Sequence, residues 1–124
     1  MLWRDCAGLA VAVFISSAHA EPAYYAGMGV LPCSTVNVVL RSSPDLAKEF
    51  LDWAQGFLSG MNEVLKSHNI PVTDAMPTGF GSDVQRAYLI GLCREDPQLV
   101  FAFAVRRLWD ELRKRQGLPP LDQW

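Results

Sequence analysis

The longest helical pattern in the chain reads SPDLAKEFLDWAQGFLSGMNEVLKSH and covers residues 43–68. Ser43 suits a helix N-cap, and Pro44 suits the first helical position, where a backbone N–H is not needed. The apolar residues that follow recur at spacings of three and four: Leu46, Phe50, Leu51, Trp53, Ala54, Phe57, Leu58, Met61, Val64 and Leu65. They cover about half of the helix circumference, which predicts a central helix in contact with more than one neighbour.

Two glycines, Gly56 and Gly60, lie inside this pattern, beside the large side chain of Trp53. Each glycine destabilises a helix interior by about 1 kcal/mol relative to alanine. Because the two lie four positions apart and close to the apolar face, we expect a neighbouring helix to pack closely against them. A ligand resting on the exposed backbone is the alternative.

Two further helices are predicted after this one. Residues 69–81 contain prolines and glycines and are typical of a loop. Ser82 opens the second helix, with Gln85 three positions later to complete a capping box. Asp96 and Pro97 open a third helix that runs to about residue 116, where Gly117 ends it.

The flanking segments are less regular. Residues 21–32 predict an extended, partly mobile lead-in, and residues 117–124 a proline-containing tail. Residues 33–41 are rich in β-branched side chains, so either a short helix or an extended segment remains open there. Together the patterns predict an all-α fold: a small bundle of three to four helices stapled by one disulfide, in a single domain over residues 21–124.

The first twenty residues have the pattern of a cleavable signal peptide. Arg4 precedes the apolar run AGLAVAVFI at residues 7–15, and Ala18-His19-Ala20 matches the small-x-small site that a signal peptidase accepts. Cleavage is expected between Ala20 and Glu21. A membrane span needs about 20 apolar residues, so we expect no stable anchor after cleavage and a periplasmic or secreted protein.

Cysteine usage agrees with export. Cys6 leaves with the signal peptide, which leaves Cys33 and Cys93 as a pair. In an oxidising compartment such a pair is expected to form a disulfide, worth at most about 4 kcal/mol through loop-closure entropy. Two free thiols or a metal pair are the alternative, but a metal site lacks further ligands because His68 is the one histidine left after cleavage.

No residue pattern indicates a catalytic or cofactor site, and we expect neither. The formal net charge of −2 argues against a nucleic-acid partner, since nucleic-acid binders normally carry a basic excess. Asp52 or Glu49 together with His68 is the minor enzymatic alternative, a small hydrolase. The candidate surface for a protein partner is the charge-rich last helix, with Arg106, Arg107, Trp109, Arg113, Lys114 and Arg115; an ordinary solvated face is the competing interpretation.

The run WAQGFLSGMN at residues 53–62, followed by Cys93-x-x-x-Pro97, resembles a group of small secreted bacterial proteins that share a W-x-x-G-[FY]-[LM]-S-G-x-N core. The overall layout is similar, more distantly, to periplasmic acid-stress chaperones of the HdeA type and to Tai-type immunity proteins. The chain departs from the chaperones in its tail, Pro119 to Trp124, where they carry lysines. It lacks the further cysteines that immunity proteins often have.

These observations predict a non-enzymatic exported protein that binds another protein. An immunity-like or envelope-assembly role implies one stoichiometric partner. The chaperone resemblance implies instead promiscuous binding at low pH.

Overall fold

A computed structural model of the chain describes residues 22–121. The predicted signal peptide, its cleavage position between Ala20 and Glu21, and the C-terminal Trp124 lie outside the described residues. Four α-helices occupy the described range: α1 is Cys33–Ser42, α2 is Ala47–Ser67, α3 is Ser82–Glu95 and α4 is Phe101–Arg115. Short 3-10 turns cover Gly27–Val30 and Pro44–Leu46. Residues 22–121 contain no strand beyond one isolated bridge, Pro32 to Val100, so the all-α prediction is confirmed.

The segment that the sequence left open, residues 33–41, is helical and forms most of α1. The first backbone N–H groups of a helix have no partner within the helix and need one elsewhere. Here the Cys33 N–H donates to the Leu99 carbonyl and the Ser34 N–H donates to the Pro97 carbonyl, both at 2.7 Å. These tertiary bonds, together with packing on α3, outweigh the weak strand preference of the β-branched side chains.

The Cys33–Cys93 disulfide is present, as predicted, and joins the start of α1 to the end of α3. Both cysteines are 0% exposed. One turn into α1, the Asn37 Nδ2 donates to the Cys93 carbonyl at 2.8 Å, which ties the same two helices together a second time. The bridge therefore lies inside the core rather than on its surface.

The central position of α2 is also confirmed, but only part of its apolar face is buried. The buried part consists of Phe50, Leu51, Ala54, Leu58 and Leu65. It meets the buried residues of α4, among them Phe101, Val105, Leu108 and Leu112, and the same core includes Leu89 of α3. The helix α4 runs beside α2 in the same direction: Phe50 contacts Phe101 near one end, and Arg113 reaches Pro71 beyond the other.

The predicted capping box at the start of α3 is wrong. The N-cap is Gly81, and Gln85 is buried inside the fold instead of reaching back to the helix end. Its Nε2 donates to the carbonyls of Ala75 and Phe80, both at 2.8 Å, and its Oε1 accepts from Gln55 of α2. The side chain thus fastens the loop before α3 to the central helix.

The last helix begins later than predicted, at Phe101 rather than at Asp96. Residues 97–100 form a turn followed by the bridge to Pro32, because the Phe101 N–H is drawn to the Leu31 carbonyl at 2.8 Å. The predicted stop at Gly117 is confirmed, and its φ of 69° is the left-handed conformation that favours glycine there. Within residues 22–121, no helix combines the length and the apolar character that crossing a bilayer requires.

Candidate functional site

The uncovered part of the apolar face of α2 forms one side of an open groove of about 740 Å³. We call this the α2 groove. Its lining residues come from the N-terminal lead-in, from α2 and from α4: Tyr24, Tyr25, Ala26, Asp52, Trp53, Gly56, Phe57, Met61, Val64, Leu65 and Arg106. Nearly all are apolar or aromatic, and the volume lies in the range typical of ligand sites in proteins.

The floor of the groove is a fixed aromatic pair. The rings of Trp53 and Phe57 are stacked, 5.6 Å apart and 18° from parallel. Trp53 Nε1 donates to the Ala26 carbonyl at 3.0 Å, which satisfies the polar edge of the indole. Gly29 allows this placement, because a Cβ there would lie 2.0 Å from Trp53 Cζ2. The predicted close packing at Trp53 therefore exists: the ring packs against Gly29 and also meets Phe101 of α4, with ring centroids 5.9 Å apart.

The lead-in, predicted as an extended and mobile segment, forms a wall of the groove. Tyr25 contacts both Phe57 and Phe103, with ring centroids 6.1 Å away in each case. Tyr24 packs edge-on against Tyr25 at 4.8 Å and is itself 87% exposed. Two adjacent tyrosines in an otherwise small and flexible segment were the available sequence signal, and it was missed.

The glycine pair of α2 does not pack against any helix of the described chain, so that prediction is wrong. A Cβ built on Gly56 or on Gly60 meets no atom within 4 Å. Both glycines are exposed, and Gly56 lines the α2 groove. Their effect is to leave a shallow, side-chain-free notch along the groove's outer edge.

Two charged groups, Asp52 and Arg106, line the groove. Asp52 is already paired with Lys48 one turn away, and this hydrogen bond raises the pKa of Lys48. Arg106, on the α4 side, has no carboxylate of residues 22–121 within salt-bridge distance. Among the described residues, Arg106 is thus a cation without an ion pair, and it lies beside an apolar surface.

The cationic face predicted on the last helix is only partly a surface. Arg106, Arg107, Lys114 and Arg115 are exposed, but Trp109 is 2% exposed and Arg113 is 0% exposed. Of the exposed group, Arg115 is engaged within the chain: it pairs with Glu111 at 2.8 Å and covers the Phe80 ring at 4.3 Å. The predicted partner surface is therefore wrong for Trp109 and Arg113, which belong to the core.

Arg113 instead holds two irregular segments against α4. Its Nε donates to the Pro119 carbonyl at 2.9 Å, and its Nη1 donates to the Pro71 carbonyl and to Thr73 Oγ1. Burial lowers the pKa of Arg113, and the negative charge of Asp110 offsets the loss of hydration only in part. The carbonyl partners explain why a charged residue is tolerated in the interior.

Asn62 has a comparable role at the end of α2. It accepts from the Thr73 N–H at 2.9 Å and donates to the Thr73 carbonyl at 2.8 Å. One side chain thus provides hydrogen-bond partners for both the N–H and the carbonyl of Thr73, which fixes the loop that follows α2.

The residues of the minor enzymatic alternative are not brought together. Asp52 and His68 lie sixteen positions apart along one continuous helix, which at 1.5 Å per residue separates them by about 24 Å. In the part of the chain that is described, no group of three or more His, Cys, Asp or Glu side chains is arranged to hold a metal ion.

A second cleft, of about 610 Å³, lies between the ends of α1 and α3. Its lining includes Arg41 and Arg94 together with Leu40 and Ile90. Both arginines occupy the last turn of a helix, where a cation complements the helix dipole. Their placement thus has a sufficient structural explanation.

Comparison of the chain with protein-family models, with curated proteins and with solved structures finds no match. The resemblance carried by residues 53–62 and by Cys93-x-x-x-Pro97 accordingly stays a prediction.

Proposed function

We propose that the protein works outside the cytoplasm by binding one other protein, in an immunity-like or envelope-assembly role, and that the α2 groove is the surface that binds. The observation that carries this proposal is the half-exposed aromatic floor, Trp53 and Phe57, on the border between the buried side of α2 and solvent. Apolar side chains held rigidly on a surface are typical of protein interfaces, where aromatic anchors supply most of the affinity.

The groove is a better candidate than the cationic face of α4 because contacts within the chain already hold its side chains in place before a partner binds. Trp53 is held by its bond to the Ala26 carbonyl, and Tyr25 by its two aromatic contacts. A partner therefore meets a surface that loses little conformational entropy on binding. The exposed Arg106 supplies charge at its margin, which favours rapid encounter more than tight binding.

Two features support a location outside the cytoplasm. The buried Cys33–Cys93 bridge is of the kind that persists in oxidising compartments. The pattern of residues 1–20 is that of a signal peptide. We infer from them that the mature chain meets its partner in the cell envelope or beyond it.

Site-specific photo-crosslinking in the native envelope tests the proposal, with two valines as a matched pair. Val64 lies in the groove and is 43% exposed, whereas Val84 lies on α3, outside the groove, and is 44% exposed. A photoreactive phenylalanine analogue at position 64 is expected to trap one protein in stoichiometric amount, and the same analogue at position 84 is expected to trap none.

The corresponding charge substitutions measure affinity. Burying a valine side chain contributes about 1.5–3 kcal/mol, so Val64→Asp is expected to weaken partner binding at least tenfold, and Val84→Asp to leave it unchanged. Equal crosslinking from both positions, or a wide range of trapped proteins that appears only at low pH, would overturn the proposal. The second result would favour the chaperone alternative.

A further inference from the structure

Resting on the proposed function, we infer that the partner fills the α2 groove with an amphipathic α-helix of about three turns, which turns an apolar stripe to the groove and a carboxylate to Arg106. Four properties of the groove lead to this occupant: its length, its lack of backbone hydrogen-bonding partners, the notch at Gly56 and Gly60, and the charge at its margin.

The length of the groove is set by α2. The lining residues extend from Asp52 and Trp53 to Val64 and Leu65. Twelve to fourteen helical positions at 1.5 Å each give a trough of about 18–21 Å, or between three and four turns. The sides of this trough are Tyr24 and Tyr25 of the lead-in and Arg106 of α4.

The chemistry of the lining excludes an extended peptide. A strand laid over the groove would bury its N–H and C=O groups, and each unpaired group costs free energy. The floor offers almost no partners: the Ala26 carbonyl is already engaged by Trp53, and residues 22–121 contain no sheet edge to extend. A helix satisfies its own backbone bonds and needs only an apolar surface.

The glycine notch permits the approach that helix packing needs. Packed helices lie with their axes 8–10 Å apart when the side chains at the contact are small. Gly56 and Gly60 leave the outer edge of the groove open, with no atom within 4 Å of a Cβ at either position. Beside them, Phe57, Met61 and Val64 form a ridge at spacings of four and three, which fits between the ridges of a second helix.

The charge at the margin of the groove determines which side of the partner helix should carry a carboxylate. Asp52 is neutralised by Lys48, whereas Arg106 has no carboxylate of residues 22–121 at salt-bridge distance. A partner helix therefore gains by placing a glutamate or aspartate beside Arg106, and it gains nothing comparable on the Asp52 side.

The test uses the full chain, purified after export, and three fluorescent synthetic peptides of about 14 residues, roughly four helical turns. The first carries leucines at helical spacing with glutamates on one flank. The second carries lysines in place of those glutamates, and the third is the first with a central proline. Fluorescence anisotropy gives each affinity. The glutamate peptide is expected to bind about three- to tenfold more tightly than the lysine peptide, and the proline peptide at least tenfold more weakly than the glutamate peptide.

Variants of the chain locate the contact. Arg106→Glu is expected to reverse the preference between the two charged peptides, whereas Arg94→Glu, a cation outside the groove, leaves it unchanged. Gly56→Leu is expected to reduce binding at least tenfold. Ser59→Leu, an exposed position that does not line the groove, is the matched control for the added bulk.

Each alternative occupant gives a distinct result. Equal binding of the helical and the proline-broken peptides, or a charge preference that Arg106→Glu does not reverse, refutes the helix while leaving groove-dependent crosslinking at Val64 intact. Sedimentation that shows a dimer, dissociated by Val64→Asp, would identify a second copy of the chain as the occupant and also refutes it. Loss of crosslinking at Val64 instead removes the proposed function itself.

Discussion

Alanine substitution of Gly56 and Gly60 distinguishes an open groove from a helix interface inside the chain. Both residues lie in the interior of α2 with ordinary helical geometry, and a Cβ at either position meets no atom within 4 Å. Alanine therefore improves helix propensity without a steric penalty, by about 1 kcal/mol at each position. If the glycines instead lay against another helix, overpacking would destabilise the fold by about 1–3 kcal/mol.

The expected gain in stability is large enough to measure. The entropy of unfolding is about 2.1 cal/mol/K per residue, or roughly 0.2 kcal/mol/K for a domain of this size, so 1 kcal/mol raises Tm by about 5 °C. Since neither methyl group has a shared neighbour, we expect the effects to add, and the double variant to melt about 10 °C higher. In urea, with a slope of about 1–3 kcal/mol/M, each substitution raises the midpoint by roughly 0.3–1 M.

The assay is thermal and urea unfolding with the disulfide intact, followed by circular dichroism. Gly29→Ala is the control with the opposite sign, because its Cβ would lie 2.0 Å from the Trp53 ring and must displace it. We expect that variant to lose about 1–3 kcal/mol. A decrease in stability for Gly60→Ala comparable to that of Gly29→Ala would refute the assignment of this face of α2 to solvent.

Three further outcomes follow from other parts of the fold. Replacing Cys33 and Cys93 by serine is expected to lower the free energy of unfolding by up to about 4 kcal/mol in urea titrations, and an unchanged midpoint would contradict the core position of the bridge. Asn62→Ala leaves the Thr73 backbone unit unpaired and is expected to cost about 1–3 kcal/mol, with faster amide exchange at Thr73; slow exchange there would count against the pairing. Burial raises the pKa of Tyr88, so the contribution of this side chain to stability is full below pH 10 and declines as the pH rises through the raised pKa. Tyr88→Phe is expected to flatten that alkaline decline in stability. Tyrosinate absorbance measures the ionisation of Tyr88.

Helical periodicity predicted the helices of this fold well, but it did not predict which segments pack against their apolar faces. The pattern of α2 indicated a broad apolar face, and the helix carries one. Periodicity reports where apolar residues lie around a helix; it carries no information on which neighbours the chain can supply. Of the described helices, one is only ten residues long; together they cover the side of α2 around Ala54, leave Trp53 half-buried and leave Gly56, Gly60 and Val64 exposed.

The rule that charged residues lie on the surface failed at Arg113 for an identifiable reason. Its acceptors, the carbonyls of Pro71 and Pro119, belong to irregular segments whose paths no local pattern predicts. Trp109, one turn earlier, is buried on the same side of α4. Arg106 and Arg107 are exposed, as charged residues usually are: Arg106 lies at the margin of the apolar stripe, beside the α2 groove, and Arg107 lies one position further from it.

The burial of polar residues such as Gln85 likewise could not be predicted from local sequence patterns. Gln85 fits a capping box by sequence, yet it spans from α2 to the loop before α3. A glutamine has the same spacing in both arrangements, and only the approach of Gln55 from another helix decides between them. Local sequence patterns could not predict the α2 groove either, since Tyr25 and Phe57 lie far apart in the sequence and meet only in the folded chain.

The position of the Cys33–Cys93 bridge connects redox state to the assembly of the groove. Cys33 closely follows the tyrosine pair along the chain, and the backbone bonds of the intervening segment reach residues 99–101 beside the bridge. Without the bridge, the start of α1 keeps its hydrogen bonds to the Leu99 and Pro97 carbonyls but loses its covalent link to α3. We therefore expect reduction to loosen the wall that Tyr25 forms before it disturbs the floor. Under the proposed function, oxidation after export would complete the surface and delay recognition of a partner until both proteins share a compartment.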